Sequence, residues 1–492
     1  MRRLLFLFIF PVLFSCSVSK NYDPNKKYST ETLRQDYNFL RTVLEKKHPA
    51  LYWYTPKDSM DYYFNEGYKA INDSMTELQF GWKILAPLTA TIHCGHTSFS
   101  MSKGWNKFIK NKRIPSFPLY LKIWGDTMIV INNLNHADSV IKRGMIITSI
   151  NGIQSGDIIG RMFDYMVEDG YSRNVNYIRL SSSFPYFHRN IFGLYKTYNV
   201  GYIDSAGNEK NIELPYYAPP EDSLKKQKKH APGIREKKLT RREKLQNIRS
   251  LTIDTSTAVM VINSFSKSHL HHFFKSSFRR IRKENIQNSI IDIRANGGGD
   301  IDNYVLLTKY LRDSPFKVAD TAYAVSKGFA PFTRHITSAF FNNIGLLFVT
   351  HREKDGKYHF KYWENHTFRL KRNNHFNGHV FVLTNGLTFS ASSLFCNAVK
   401  GQKNVTLAGE ETGGGWYGNS GIMIPDIILP ETKLRVRLPF FKLVQYHHIS
   451  TKGTGVIPDV YVGPNRKDII EKVDTKMQAV NKIITEGIHA VK

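Results

Sequence analysis

Two short apolar segments in the second half of the chain each end in a run of small residues. Residues 289–300 read SIIDIRANGGGD, and residues 380–393 read VFVLTNGLTFSASS. Each apolar run predicts a buried β-strand, and the small residues mark the turn after it. After the second turn, apolar residues recur at helical spacing: Ala391, Leu394, Phe395, Ala398 and Val399. The pattern predicts a helix that begins at Ser390, and strands that alternate with helices indicate an α/β sheet.

Ser390 has the setting that an attacking serine needs. At the start of a helix, its hydroxyl faces unpaired backbone N–H groups and the positive end of the helix dipole. Such groups stabilise the oxyanion that forms when a serine attacks a carbonyl. The glycine turn after the first strand can bring further N–H groups close, because glycine has no side chain. We therefore predict that Ser390 is a nucleophile, with oxyanion donors at Ala391 and at Gly297 or Gly298.

The first half of the chain has a different pattern. Residues 29–90 show apolar residues at helical spacing, which predicts helices, and residues 113–170 show short apolar stretches between turns, which predicts strands. Residues 171–249 are predicted to hold a strand pair and a basic linker. The dense basic stretch 225–249 is interpreted as a solvated linker. The alternative is attraction to anionic lipid head groups or acidic polypeptides.

Four motifs between residues 250 and 465 follow one another in an order typical of a known family. Besides the two segments above, they are residues 408–415 (AGEETGGG) and 454–460 (TGVIPDV). The chain thus resembles the tail-specific, or C-terminal processing, serine peptidases, and is closer to their tricorn-core-like branch than to the Ser–Lys branch. The resemblance implies an α/β fold in which a crotonase-like ββα core carries an N-terminal helical domain and an inserted PDZ-like domain. It implies no metal and no organic cofactor.

The resemblance and the patterns together divide the chain into six parts. They are a lipoprotein signal peptide (1–15), an N-terminal helical domain (16–112), a PDZ-like domain (113–200), a strand pair with the basic linker (201–249), the peptidase core (250–465) and a C-terminal helix (466–492). The PDZ-like part departs from the family in one place. The family's Gly-Asp before the last strand reads Gly144-Met145 here.

The base that would activate Ser390 differs between the two branches of the family. Bacterial tail-specific peptidases place a lysine in a Gly-Glu-x-Thr-x-Gly-Lys frame, and this chain has Gly415 at that position. The tricorn-like branch uses a histidine from the N-terminal domain. His96, in a Gly-His-Thr frame, matches that pattern better than His93. Imidazole suits the task, because it exchanges protons near neutral pH. Lys452 is the alternative base if His96 is remote from Ser390.

A serine–histidine pair normally needs a third group that holds the imidazole. The tricorn-like branch has a glutamate shortly before its Gly-Val-x-Pro-Asp motif, and Lys452 occupies that place here. Glu410 and Glu411 lie in a glycine-rich turn near the nucleophile and are the candidates for this role. Both can equally be interpreted as surface acids.

The N-terminus predicts export. Arg2 and Arg3 precede an apolar run at residues 4–13, which is too short to span a bilayer. Residues 13–16 (LFSC) resemble a bacterial lipoprotein cleavage box, which predicts that Cys16 carries a lipid anchor. The alternative is an ordinary secretory signal with an incidental cysteine.

Charge and cysteine content narrow the classes of function. The chain has 492 residues and a formal net charge of +28, but it has no recognisable nucleic-acid-binding motif. Cys94 and Cys396 remain after Cys16, which is too few for a disulfide scaffold. Buried free thiols are the favoured interpretation, and a bond between the two is the alternative. His271 and His272 are interpreted as surface residues, because no metal-ligand spacing accompanies them.

The sequence therefore predicts a lipid-anchored serine endopeptidase of the cell envelope, facing the periplasm or attached to the outer membrane. Its expected partners are exported or envelope polypeptides, including their C-termini, and a membrane through the anchor. Nucleic acid is not an expected partner. One alternative is a catalytically inactive member that binds peptides or hydrophobic ligands, and another is a scaffold whose PDZ-like part captures C-termini. The intact nucleophile motif favours the enzyme.

Overall fold

The computed structural model describes five parts of the chain, residues 22–110, 112–219, 240–266, 269–447 and 453–487. The predicted lipidation site Cys16 and the alternative base Lys452 lie outside these ranges. Within them, no helix combines the length and apolarity that crossing a membrane requires.

A six-stranded sheet forms the centre of the second half of the chain. In spatial order its strands are Arg249–Asp254, Thr257–Ile262, Asn288–Asp292, His379–Thr384, Val405–Gly409 and Val460–Tyr461. The first two pair antiparallel, and every other neighbouring pair is parallel. The helices of this part are Arg241–Ile248, Leu270–Lys283, Ile301–Leu311 and Ala391–Val399. The predicted α/β sheet is confirmed, and its parallel strands bring their C-terminal turns to one edge.

Both faces of this sheet are buried, which explains the uninterrupted apolar runs of its central strands. Ile291 and Val382 pack with the connecting helices on one face. Ile290 and Leu383 pack on the other face against the helix Thr475–Glu486. Successive residues of a strand point to opposite faces, so adjacent apolar residues serve different layers.

The N-terminal unit is helical, as its pattern predicts. Its helices are Thr30–Lys47, Lys57–Lys69, Glu77–Phe80, Ala86–Ala90 and Lys103–Ile109, with a π-helical turn at Gly81–Leu85 and a strand pair at Lys27–Tyr28 and Met75–Thr76. Ser29 caps the first helix, because its side chain accepts the Thr32 N–H. Leu33, Leu40 and Leu44 are buried on the inner face of that helix.

An antiparallel sheet with two helices lies between these units along the chain. Its strands are Leu119–Trp124, Thr127–Asn133, Ile146–Ile150, Ile153–Gln154, Thr197–Ile203 and Glu209–Pro215, and its helices are Ser155–Phe163 and Asn174–Phe192. The strand Thr197–Ile203 pairs with both Ile146–Ile150 and Glu209–Pro215. The boundary predicted at residue 200 is therefore wrong, since it cuts a strand that belongs to this sheet. The PDZ-like character of the unit stays a prediction.

Two smaller sheets complete the fold. One has the strand order His351–Arg352, Tyr358–His359, Ala319–Ala324, Lys442–Gln445, Gly418–Asn419, and the other has the order Asp426–Ile428, Arg435–Arg437, Phe99–Ser100. The remaining helices are Thr333–His335 (a 3-10 turn), Ala339–Val349, Lys361–Asn365, Arg466–Glu471 and Thr475–Glu486. The predicted C-terminal helix is thus two helices. The strand Phe99–Ser100 comes from the N-terminal unit, and its pairing ties the segment that contains His96 to the core.

Acid is expected to destabilise the fold through His48, which is buried beside Thr97, the residue after His96. His48 Nε2 lies 2.7 Å from Thr97 Oγ1, and Nδ1 accepts the Ala50 N–H at 3.1 Å. Burial lowers the pKa of His48 to about 3. Between about pH 6.5 and pH 3, the His48 imidazole therefore binds a proton in the unfolded chain but not in the folded chain. The free energy of unfolding should therefore fall, by up to about 1.4 kcal/mol per pH unit, as pH drops through this window.

Urea unfolding at several pH values measures this contribution. His48→Gln should make the free energy of unfolding depend less steeply on pH between about 6.5 and 3. The control is His272→Ala, because His272 is exposed on the helix Leu270–Lys283. If the free energy of unfolding of His48→Gln depended on pH as that of the wild type does, His48 would not be a cause of the acid destabilisation.

Candidate active site

Ser390 lies on a sharp turn between a strand and a helix. The helix Ala391–Val399 begins directly after it, and the strand His379–Thr384 precedes the turn. The backbone of Ser390 has φ 55° and ψ −123°, a conformation that residues with a Cβ rarely adopt. The same strained strand-to-helix turn exposes the nucleophilic serine of α/β hydrolases. The local structure of Ser390 is therefore that of a displayed nucleophile.

Two glycines make room for this turn. A Cβ on Gly298 would lie 2.7 Å from Ser390 Cβ, and a Cβ on Gly414 would lie 2.8 Å from the Ser390 backbone nitrogen. Both distances are shorter than real Cβ contacts, so glycine is required at each position. The structure thus brings the two predicted turns together at Ser390.

The three predicted oxyanion donors differ in availability. The N–H of Gly298 donates to Asn296 Oδ1 at 2.9 Å and is therefore occupied. The N–H groups of Ala391 and Gly297 donate to no other residue in the described part of the chain. A Cβ on Gly297 would meet no atom within 4 Å, which leaves open space beside it. The geometry favours Ala391 with Gly297 as the donor pair and corrects the inclusion of Gly298.

His96 lies across a small space from Ser390. The position of a Cβ on Gly421 is 2.9 Å from His96 Nε2 and 2.9 Å from Ser390 Oγ, so these two atoms are within about 6 Å of each other. The imidazole is buried and packs on Phe389, with 5.0 Å between the ring centroids. Catalytic hydrogen bonds are often long without substrate and tighten when it binds. His96 is thus placed to accept a proton from Ser390.

The other ring nitrogen of His96 faces Asp169. Nδ1 lies 3.8 Å from Asp169 Oδ1, both side chains are buried, and Nδ1 has no hydrogen-bond partner among the described residues. The Gly95 N–H donates to Asp169 Oδ1 at 2.8 Å, and the Gly415 N–H donates to Oδ2 at 3.4 Å. A carboxylate in this position orients an imidazole and stabilises its protonated form. Sequence reasoning missed Asp169, whose only signal is an acid pair followed by Gly170.

Comparison with known proteins identifies the family. Residues 256–462 match peptidase family S41. These residues form an S41 serine peptidase domain. No curated protein matches it in sequence.

Several solved structures are similar to this chain. Mature CPAF is 13% identical, with a TM-score of 0.64 over 94% of this chain and 98% of that chain. The photosystem II D1 C-terminal processing protease is 14% identical, with a TM-score of 0.41 over 94% of this chain and 98% of that chain. A putative peptidase from Parabacteroides merdae is 14% identical, with a TM-score of 0.44 over 93% of this chain and 97% of that chain. The similarity to CPAF shows that the fold is shared along almost the whole chain.

Gly415 holds the position where the Ser–Lys branch of the family carries its lysine. A Cβ on Gly415 would lie 3.7 Å from Asp169 Cβ, so the aspartate lies next to this position. The Gly415 N–H also points to the same carboxylate. Asp169 therefore lies beside the position at which the Ser–Lys branch carries its lysine.

Glu410 and Glu411, the acids predicted to hold the imidazole, have other partners. Glu410 forms a buried ion pair with Lys476. Glu411 Oε1 accepts the Gly455 N–H at 2.6 Å, and burial raises the pKa of its carboxyl. In the described chain, the carboxylate within ion-pair distance of His96 is that of Asp169. The prediction for the two glutamates is therefore corrected, because their carboxylates bind Lys476 and the Gly455 N–H instead of His96.

His93 has an arrangement similar to that of His96, but with a different acid and a different aromatic neighbour. Its Nδ1 lies 3.8 Å from Glu168 Oε1, and its ring packs on Tyr171 with 5.0 Å between centroids. Of the two histidines, His96 is the one whose Nε2 shares the space beside Gly421 with Ser390. The geometry thus favours His96 as the base.

Gly421→Ala is expected to lower kcat/KM by at least about 100-fold, because a displacement of about 1 Å at a reacting group can cost that much. The new methyl group would lie 2.9 Å from both His96 Nε2 and Ser390 Oγ and would push them apart. The backbone of Gly421 is outside the left-handed region, so alanine brings no backbone strain. Hydrolysis of a peptide substrate measures the change.

The matched control is Gly160→Ala in the helix Ser155–Phe163. A Cβ on Gly160 meets no atom within 4 Å. Its kcat/KM should stay close to that of the unmodified protein. Equal losses in the two variants, or no loss in Gly421→Ala, would contradict the assigned role of this space.

Proposed function

We propose that this S41 peptidase is an active endopeptidase with Ser390 as nucleophile, His96 as base and Asp169 as the residue that orients the base. The proposal is supported chiefly by the space at Gly421, because Ser390 Oγ and His96 Nε2 both border it. Asp169 lies on the opposite side of the same imidazole. Nucleophile, base and acid thus follow one another in the order that acyl transfer requires.

In the proposed reaction, Ser390 Oγ attacks the peptide carbonyl while its proton moves to His96 Nε2. Asp169 stabilises the imidazolium that results. The N–H groups of Ala391 and Gly297 donate to the oxyanion of the tetrahedral intermediate. When the intermediate collapses, the imidazolium gives its proton to the leaving amine. A water molecule, deprotonated by His96, then releases the acyl group from Ser390.

The proposed substrates are exported or envelope polypeptides, including their C-termini, and the proposed location is the cell envelope. The support is the N-terminal pattern that ends in Cys16, together with the family's peptidase chemistry. Two acyl chains on one cysteine suffice for stable attachment to a membrane. Cys16→Ala should therefore move the protein from the detergent phase to the aqueous phase. An unchanged partition would contradict the anchor.

Labelling with a fluorophosphonate probe tests the proposed activity directly, since the probe reacts with an activated serine. We expect one modified peptide, which contains Ser390, and no labelling of Ser390→Ala. Ser182→Ala is the control, because its exposed hydroxyl donates to Ile178 O within the helix Asn174–Phe192. An unlabelled but folded wild-type protein would overturn the proposal and leave the inactive, ligand-binding member.

A further inference from the structure

One cysteine lies beside the proposed catalytic residues. Cys94 is two residues before His96, and its side chain is buried as a free thiol. Its Sγ lies 3.0 Å from Ser420 Oγ. Ligand atoms of Cys94, His96 and Asp169 all lie within 4.8 Å of one another. Thiolate, imidazole and carboxylate together are a donor set that binds zinc in proteins.

One of the distances between these atoms is close to that in a bound metal site, and the others are below 4.8 Å. A tetrahedral zinc with ordinary bond lengths separates its ligand atoms by roughly 3.3–3.7 Å. His96 Nδ1 and Asp169 Oδ1 are 3.8 Å apart. Side-chain movements of about 1 Å would therefore complete a three-residue site, with a water molecule as the fourth ligand.

A second observation points to a ligand at the same place. His96 Nδ1 is buried and has no hydrogen-bond partner among the described residues, although a buried polar atom normally has one. The Tyr54 hydroxyl is also buried and without a partner there. Burial raises its pKa, and the nearby Asp169 and Cys94 raise it further. A water molecule bound to the metal would give the Tyr54 hydroxyl a hydrogen-bond partner. Groups around metal sites commonly form such hydrogen bonds to the ligands.

We propose that Cys94, His96 and Asp169 form an inhibitory zinc site that shares two residues with the catalytic machinery. Binding releases the thiol proton of Cys94 to solvent. The thiolate and the carboxylate then cancel the two charges of Zn²⁺, so the buried complex is neutral. The inhibitory part rests on the proposed function, whereas binding of the metal does not.

Zinc at this site prevents His96 from acting as a base. A neutral imidazole that binds a metal through Nδ1 carries its one proton on Nε2. Nε2 is the atom that faces Ser390 across the space at Gly421. It can then no longer accept the proton of Ser390 Oγ, and acyl transfer stops. The site therefore makes the peptidase sensitive to free zinc.

Cobalt and zinc titrations of the purified, full chain test binding. Co²⁺ replaces zinc at such sites and shows a thiolate-to-metal absorption band when a cysteine is a ligand. We expect this band at one Co²⁺ per chain, and its displacement by Zn²⁺. Cys94→Ser should lose the band and bind Zn²⁺ at least about 100-fold more weakly, since losing even an outer partner of a ligand costs 10–100-fold. Asp169→Asn should also bind more weakly.

Cys396→Ser is the matched control, because Cys396 is the second buried free thiol and lies in the helix Ala391–Val399. It should keep the band and the Zn²⁺ affinity of the wild type. A band that survives Cys94→Ser, or that is lost in Cys396→Ser, would overturn the assignment. Circular dichroism of each variant checks that a loss of binding is not a loss of folding.

Binding and activity together separate the two proposals. Ser390→Ala should bind Co²⁺ as the wild type does, although it cannot react with the fluorophosphonate probe. In the wild type, Zn²⁺ should slow labelling of Ser390, and a chelator should restore it. Labelling that is fast at saturating Zn²⁺ would overturn the inhibitory site and leave the peptidase intact. A wild type that binds Co²⁺ but never labels would overturn the peptidase and leave the metal site.

Discussion

His96→Ala is expected to lower kcat by about a million-fold, the scale seen when a serine peptidase loses its base. The reason is that Ser390 is a weak nucleophile unless a neighbouring group takes its proton. His96 Nε2 is the described imidazole nitrogen that shares the space at Gly421 with Ser390 Oγ. Peptide hydrolysis and fluorophosphonate labelling of the same preparation measure the loss.

His93→Ala is the matched control for this prediction. His93 lies three residues away in sequence and also pairs with an acid, Glu168. Its loss should change kcat by less than about tenfold, because its ring packs on Tyr171 and has no part in the proposed proton transfer. If His96→Ala still labelled at Ser390, another base would be at work, and Lys452 would be the first residue to replace.

Asp169→Asn is expected to lower kcat by about 10⁴-fold with little change in KM, as an amide in place of the triad acid does in other serine peptidases. The amide cannot stabilise an imidazolium, and it favours the wrong imidazole tautomer. Asn has nearly the same shape, and its side-chain oxygen can still accept the Gly95 N–H that now reaches Asp169 Oδ1 at 2.8 Å. Steady-state kinetics on a peptide substrate separate kcat from KM.

Glu411→Gln is the comparison that tests the assignment of the acid. Glu411 lies in the glycine-rich turn, but its carboxylate accepts the Gly455 N–H rather than facing His96. We expect kcat to stay within about tenfold of the wild type, with any loss appearing in thermal stability. A 10⁴-fold loss in Glu411→Gln with a small loss in Asp169→Asn would restore the glutamate as the orienting acid.

The residues around Ser390 could be predicted because their signals are local. A buried strand, small residues and then helical spacing lie within one short segment, 380–399. The glycine turn at 297–299 follows a second strand of the same kind, and parallel neighbours bring such turns to one edge. His96 required the family's Gly-His-Thr frame, because a single histidine carries little information in itself. The two turns at Ser390 could therefore be predicted from the sequence pattern alone. His96 could be selected only through its resemblance to the family's motif.

Asp169 could not be predicted, because only the folded chain brings it to His96. The two residues are far apart in sequence, and a backbone N–H of Gly95 fixes the carboxylate. Glu410 and Glu411 were candidates because they lie in a glycine-rich turn near the nucleophile, and that turn follows the strand Val405–Gly409, next to the strand before Ser390. Proximity along a sheet edge does not set the direction of a side chain. Glu410 turns to Lys476, and Glu411 turns to Gly455.

The order of the site residues along the chain has a consequence for when the peptidase becomes active. The segment that matches family S41, residues 256–462, contains Ser390 and its proposed oxyanion donors but neither His96 nor Asp169. A folded core without the preceding units would therefore contain Ser390 but lack His96, the proposed base that takes its proton. With the proposed catalytic residues, we therefore expect peptidase activity only when the earlier parts of the chain are folded against the core. Under the same proposal, a partly unfolded copy in which His96 is separated from Ser390 should not cleave neighbouring chains.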